Sequence, residues 1–324
     1  MKKLPSLVFL LALLLYLPTS MAQEKVWRVG LLSNGPPPQG TSASWRDTIL
    51  RDLAQNGFSE GKNLQFIDRY SQGYSDRLPM LAQEISDQRV DVIVAISSPS
   101  VRAALAATKT IPIISIGSDP VADGLASSYA RPGGRVTGIV FQVAEGDAKR
   151  LELLSEALPN ARRFGFLGMS YQREMPVSAE IAGVASRLGI ELTARWIDGP
   201  AGYSTAFDEM RNAGAAGVVI AANQPLSTDA QRIAATAAEH GLPTICEWEY
   251  MAHAGCVLSY GHDLAYARRR AGEYLTRILR GTNPADLPVE RSDAWKLTVN
   301  ARAAQQFGIT FPPALMARAN EVIE

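Results

Sequence analysis

The 324-residue sequence predicts an α/β protein of two lobes, each a parallel sheet with helices on both faces, joined by a chain that crosses between them more than once. Three observations carry this prediction. Apolar runs of strand length alternate with amphipathic helical stretches as far as residue 246, the pattern of parallel sheets built from strand–helix–strand units. The alternation pauses at the turn-rich segment 131–135 (RPGGR) and then restarts as a second unit of similar size. The chain is also longer than one core usually holds, about 100–200 residues per domain being ordinary.

Ahead of the first strand, residues 1–22 have the order of a secretion signal: Lys2 and Lys3, an apolar run over 7–17, then small residues Ser20 and Ala22 at the −3 and −1 positions. The run is shorter than the roughly 20 residues that span a bilayer, so cleavage after Ala22 is expected instead of anchoring. No cysteine lies near that point, which excludes the usual lipid attachment and predicts a protein free in the periplasm. With Lys2 and Lys3 removed, 32 basic residues become 30 against 32 acidic ones, a charge of about −2. That balance gives no electrostatic case for nucleic acid or an anionic membrane surface as partner.

In the first unit, strands are expected over 26–32, 64–70, 91–96, 111–116 and 136–141, with helices over 41–55, 76–88 and 99–108. Leu78, Leu81, Ala82 and Ile85 fall at three- and four-residue spacing and mark the buried stripe of the second helix. In the second unit, helices over 147–157, 176–188, 203–212 and 227–240 alternate with strands over 163–167, 190–196, 217–221 and 244–246. The tail departs from this rhythm. A short strand over 256–260 precedes a helix capped by Asp263 and stopped by Gly281, and 283–289 (NPADLPV) reads as extended. Cys246 and Cys256 flank a short segment; spacing leaves a disulfide and two buried thiols equally open.

In open parallel sheets ligands bind beyond the carboxyl ends of the strands, where helix N-termini present unpaired N–H groups. The candidates are therefore the residues that follow each strand. The first unit offers Ser33 and Asn34, then Ser97 and Ser98 before Pro99, then Ser118 and Asp119 before Pro120. Ser98 and Asp119 read as caps of two neighbouring helices, which together would receive a carboxylate. The second unit offers Tyr171, Asn223, Glu247, Trp248 and, at a presumed crossover, Tyr260. A Trp and a Tyr beside carboxylates suit an apolar ligand body that carries an ammonium. Each residue also has a plainer reading as a cap, a surface group or part of the core.

Enzymatic readings lack their parts. There is no dinucleotide-binding glycine fingerprint, phosphate loop or nucleophile elbow, so no cofactor is called for. His240, His253 and His262 lie without metal-ligand spacing.

Several phrases in one order bear a further likeness: Glu60-Gly61-Lys62-Asn63-Leu64, Asp76-Arg77-Leu78-Pro79, Val90-Asp91-Val92-Ile93-Val94, Ala130-Arg131-Pro132-Gly133-Gly134 and Arg150-Leu151-Glu152-Leu153-Leu154. Ser259-Tyr260-Gly261, Pro284-Ala285-Asp286-Leu287-Pro288 and Ala317-Arg318-Ala319-Asn320-Glu321 continue the series. Together they resemble the tryptophan/tyrosine-type ABC-transporter substrate-binding proteins, which have the type I periplasmic-binding-protein fold. The resemblance implies a non-enzymatic, monomeric receptor that traps a small solute, an amino acid and by preference an aromatic one, and docks on ABC permease subunits. It also implies lobes of 23–140 plus about 262–290 and of 141–261 plus about 291–324, with the cleft at a multi-strand hinge. A sensory protein feeding a membrane signalling partner is the alternative on the same fold.

Overall fold

The computed structural model describes residues 25–37 and 44–324. The expected signal segment and residues 41–43 of the first expected helix lie outside the described residues. In the first half, β1 (Trp27–Ser33), α1 (Trp45–Gln55), β2 (Leu64–Tyr70), α2 (Leu78–Asp87), β3 (Val92–Ile96), α3 (Ser98–Ala107), β4 (Ile113–Gly117) and β5 (Val136–Val140) follow one another. The second unit comprises α4 (Val143–Ala157), β6 (Arg163–Met169), α5 (Pro176–Leu188), β7 (Glu191–Ile197), α6 (Tyr203–Asn212), β8 (Val218–Ile220), α7 (Gln224–Thr228), α8 (Ala230–Glu239), β9 (Thr244–Cys246), α9 (Glu249–Ala254) and β10 (Leu258–His262). The tail adds α10 (Leu264–Leu279), β11 (Val289–Arg291), β12 (Trp295–Asn300), α11 (Ala301–Gln306), α12 (Pro313–Met316) and β13 (Glu321–Ile323).

These strands form two sheets. The first has the order β11-β5-β4-β3-β1-β2 with every pair parallel. The second has the order β13-β12-β10-β9-β8-β6-β7, parallel except where β12 runs against β10. The expected two-lobed α/β architecture is present, and the tail is divided between the lobes.

Alternation along the strands decides the cores. Val29 and Leu31 of β1 pack with Ile49 and Leu53 of α1 and with Ala271 and Leu275 of α10, while Leu32 turns to the opposite face with Leu78 and Ile85 of α2. The second lobe has one continuous core that joins Phe164 and Phe166 of β6, Phe207 of α6 and Leu151 and Leu154 of α4. A fully buried Leu, Ile or Phe contributes about 1.5–3 kcal/mol of transfer free energy, so each lobe has its own driving force for folding.

Three segments make the joint between the lobes. The chain passes from β5 to α4 at Phe141–Gln142, from β10 to α10 at His262–Asp263, and from β11 to β12 through Ser292. They are tied to one another: Gln142 N donates to His262 Nε2 at 2.9 Å, Asp263 N to the Ala294 carbonyl at 2.8 Å, and Ser292 N to the Val140 carbonyl at 3.0 Å.

Four local expectations are corrected. α3 is capped by Ser97 and not by Ser98, because Val101 N bonds to the Ser97 carbonyl and starts the helix one residue earlier. No helix follows β4; Pro120 to Gly124 form a turn, with Gly124 in the left-handed region at φ 70°, so the second expected helix N-terminus is absent from this described segment. α4 begins at Val143, which leaves Asp147 inside the helix. The helix expected over 227–240 is two helices, separated at Asp229. The cysteine pair resolves as a disulfide, Cys246–Cys256, with Cα atoms 6.3 Å apart.

Candidate functional site

Residues that follow β1 and β5 of the first sheet meet residues that follow β8 and β9 of the second, Gly35 against Gln224 and Phe141 against Trp248, and the candidate residues divide between these two walls. On the first wall, Ser33 is buried at the end of β1 and its hydroxyl accepts from Gly35 N at 3.1 Å. Asn34 is also buried, and its side-chain carbonyl accepts from Ser71 Oγ at 2.7 Å and Ser75 Oγ at 3.3 Å. Asn34 thus fastens the loop after β2, a role that the sequence reading did not assign. Ser97 has φ 86°, an uncommon conformation for a residue with a Cβ, and its hydroxyl lies 3.2 Å from Ser100 Oγ. Its backbone N–H donates to the Ile116 carbonyl at 2.9 Å, so the end of β4 helps hold that turn. Ser98 is half-buried at the start of α3, where Pro99 has no N–H and the Ser98 and Ser100 amides precede the first intrahelical bond.

Ser118 is buried with its hydroxyl paired to Ser115. Asp119, expected as a ligand-facing cap, spends both oxygens internally: Oδ1 accepts from Val121 N and Ala122 N, each at 3.0 Å, and Oδ2 accepts from Tyr129 Oη at 2.6 Å. It therefore holds the turn that stands where a helix was expected.

On the second wall, Asn223 caps α7 by accepting from Leu226 N at 2.9 Å, and its Nδ2 donates to Gln172 Oε1 at 2.7 Å. Gln172 is buried and ties that cap to Met169 N and to the Ala222 carbonyl. Its neighbour Tyr171 is 59% exposed, so it stands at the rim and does not line the floor. Glu247 follows β9 and is 8% exposed. Gly261 permits this close packing, since a Cβ there would lie 2.2 Å from the Glu247 carbonyl oxygen. Trp248 meets Phe141 edge to face at 5.7 Å, and Tyr260 stacks on Trp295 at 5.0 Å with rings nearly parallel.

The sequence reading missed the polar centre of this wall. Asp147 and Arg150 of α4 form an ion pair with 0% and 1% side-chain exposure. Arg150 Nη1 also donates to the Tyr260 carbonyl at 2.5 Å, and Asp147 Oδ1 accepts from Ala222 N at 3.0 Å, so one helix pins the middle of β10 and the segment that follows β8. The signal was legible: positions 147, 150, 151 and 154 share one helix face, and two charges stand there among leucines. His262, one of the three histidines without metal-ligand spacing, is buried between Phe141 at 4.9 Å and Trp295 at 3.9 Å.

Burial sets the electrostatics. It pushes the Glu247 carboxyl up to about 8, against the pull of Arg150 and with added repulsion from Asp147. It pushes His262 down to about 4, with Arg150 acting in the same direction. A neutral His262 suits the geometry, since Nε2 must accept from Gln142 N. Among the described residues no group of three or more His, Cys, Asp or Glu side chains could hold a metal ion.

Two contacts between the walls stand out among the described residues. Near the joint, Phe141 lies against Trp248 and also borders Gly117, where an added Cβ would meet its ring at 3.2 Å. Farther out, Gly35 lies against Gln224, whose Nε2 would be 2.8 Å from a Cβ at that glycine. The loop that carries Ser33 and Asn34 is thus brought to the segment that carries Asn223.

Comparison with known proteins agrees with this geometry. Residues 41–323 match the family model described as ABC transporter substrate binding protein. The "Tyrosine-binding protein" of Clostridioides difficile is 26% identical over 255 residues, covering 78% of this chain and 73% of that protein. A conserved domain protein from Vibrio cholerae superposes with a TM-score of 0.83 at 26% identity, over 92% of this chain and 100% of that one. An ABC domain from Streptococcus pneumoniae, solved in complex with L-Trp, superposes with a TM-score of 0.80 at 21% identity over the same shares. The fold is that of the type I periplasmic binding proteins, and the chain belongs to the ABC transporter substrate-binding protein family.

Proposed function

We propose that this protein is the extracytoplasmic receptor of an ABC importer, which closes its two lobes over an amino acid, an aromatic one favoured, and delivers it to a membrane permease. The supporting observation is the pair of unlike walls that meet across a three-segment joint. Hydroxyls and the α3 amides of the first wall suit a carboxylate, while Phe141, Trp248 and Glu247 suit an apolar body and an amine. The names of the tyrosine-binding relative and the L-Trp complex support the same ligand class.

In this reading the lobes are 23–140 with about 262–290 and 141–261 with about 291–324. The protein is a monomer released by cleavage after Ala22, and no covalent chemistry is assigned to the cleft. Closure requires a ligand that binds the closed state better, hence contacts from both walls. A thermal-shift screen against amino acids, aromatic acids and nucleobases tests the reading. An amino acid at 100 times its Kd stabilises the protein by about 2.7 kcal/mol. Stabilisation by nucleobases alone would overturn the ligand class.

A further inference from the structure

Glu247 has a carboxyl with no partner of its own. It is 8% exposed, and it lines a small cavity with Trp248, Glu249, Gly261, His262, Leu264 and Lys296. Desolvation and the charges of Arg150 and Asp147 act on it, and among the described residues no hydrogen bond holds it. Two of the cations around it, Arg150 and Lys296, are engaged elsewhere. Arg150 of α4 is paired with Asp147 and with the Tyr260 carbonyl. Lys296 of β12 bonds to Glu249 and Glu321. Arg268 of α10 feels the charges of Glu249 and Asp263 and the Tyr250 hydroxyl, with its buried Nε unpartnered, whereas the charges that act on Glu247 are those of Arg150 and Asp147. His262 of β10 is neutral, because its Nε2 accepts from Gln142 N.

Two buried carboxyls, Asp147 and Glu247, face a single arginine, and that arginine is taken by Asp147. A buried carboxylate without a cation is costly, so Glu247 keeps its proton while the cleft is empty. An incoming ammonium would complete the set, and the ring of Trp248, which lines the same cavity, would favour its charge.

We propose that Glu247 is the receptor for the cationic nitrogen of the ligand, the primary ammonium of an amino acid, and that capture expels the carboxyl proton to solvent. The exchange balances as Glu247 carboxylic acid plus ligand ammonium giving the carboxylate–ammonium pair plus one free proton. This inference rests on the amino-acid reading above and specifies the charge state in which the site waits. Uptake of an amino acid is then linked to pH, whereas uptake of the same body without its amine is not.

Isothermal titration of the protein at pH 7 in phosphate and in Tris, two buffers of different ionisation enthalpy, tests it. The probes are L-tyrosine and L-tryptophan beside their deaminated analogues, 3-(4-hydroxyphenyl)propanoate and 3-indolepropanoate. Close to one proton is released per amino acid and none per analogue. In Glu247→Gln the release disappears and amino-acid affinity falls about tenfold or more, while any analogue binding changes little. The wild-type buffer comparison stands without the variant. Tight amino-acid binding with the same heat in both buffers, or binding of the analogues in preference to the amines, overturns the inference and leaves the receptor role intact. Binding of neither class by the wild type counts against both.

Discussion

In the proposed reading the first lobe meets the cleft with Ser33, Ser97 and Ser98, while Ser118 is paired to Ser115 and its acid, Asp119, is already spent on a turn. The second meets it with an arginine and two carboxyls, all buried. Hydroxyls and amides cost little to leave facing water and can take a carboxylate without any net charge of their own. Buried charges must balance one another before a ligand arrives, so the second wall is the demanding one energetically. The difference teaches where selectivity and stability are coupled: a change in the first wall should alter mainly binding, and a change in the second should alter both.

The largest expected effect comes from unbalancing the second wall. Arg150→Met leaves Asp147 buried without its cation and should lower unfolding free energy by about 3–5 kcal/mol in a denaturant titration. Asp147→Leu combined with Arg150→Met should recover much of that loss, because the uncompensated charge is gone. A double variant no better than Arg150→Met alone would break the charge-balance argument.

Next comes the brace behind Glu247. The disulfide joins the end of β9 to the start of β10 and spans ten positions that include Glu247 and Trp248. Cys246→Ala with Cys256→Ala should lower stability by roughly 2–3 kcal/mol. Unchanged thermal unfolding would show that packing alone fixes this segment.

The pH dependence isolates Glu247 itself. Its folded value, raised from 4.5 to about 8, means that its contribution is fully present below 4.5 and is lost as pH rises to 8. His262, lowered from 6.5 to about 4, does the opposite: its contribution is complete above 6.5 and is lost as pH falls toward 4. The two trends oppose each other below 6.5. Between 6.5 and 8 His262 no longer contributes, and the ligand-free protein should lose about 2 kcal/mol that Glu247→Gln does not lose.

The smallest effect belongs to the first wall. Ser97 at φ 86° carries backbone strain that glycine would relieve. Ser97→Gly should therefore leave stability within about 1 kcal/mol of wild type, or raise it, while weakening ligand binding. A large loss of stability would place Ser97 in the core of the lobe and not at its rim.

Much of this fold was legible in the sequence, and the reasons are local. The apolar runs that became β3 and β4, and the spacing of Leu78, Ala82 and Ile85 on α2, depend on neighbours in the chain. The site was less legible. Ser33, Ser97 and Ser118 could be placed at strand ends, but the engagement of Asp119 with Tyr129 and of Asn34 with Ser71 depends on loops meeting in space. The same holds for His262, whose pattern of neighbours is assembled from β5, β10 and β12. Asp147 and Arg150 were visible as charges on an apolar stripe, yet only the strand ends above α4 give them a role.

The central claim is that two unlike walls close on one ligand, and solution scattering tests it most directly. On saturation with L-tryptophan or L-tyrosine, the radius of gyration should fall, and Gly35→Trp, which wedges the outer contact with Gln224, should reduce that fall. Saturated binding with no change in the radius of gyration would contradict closure, and with it the claim that both walls hold the ligand.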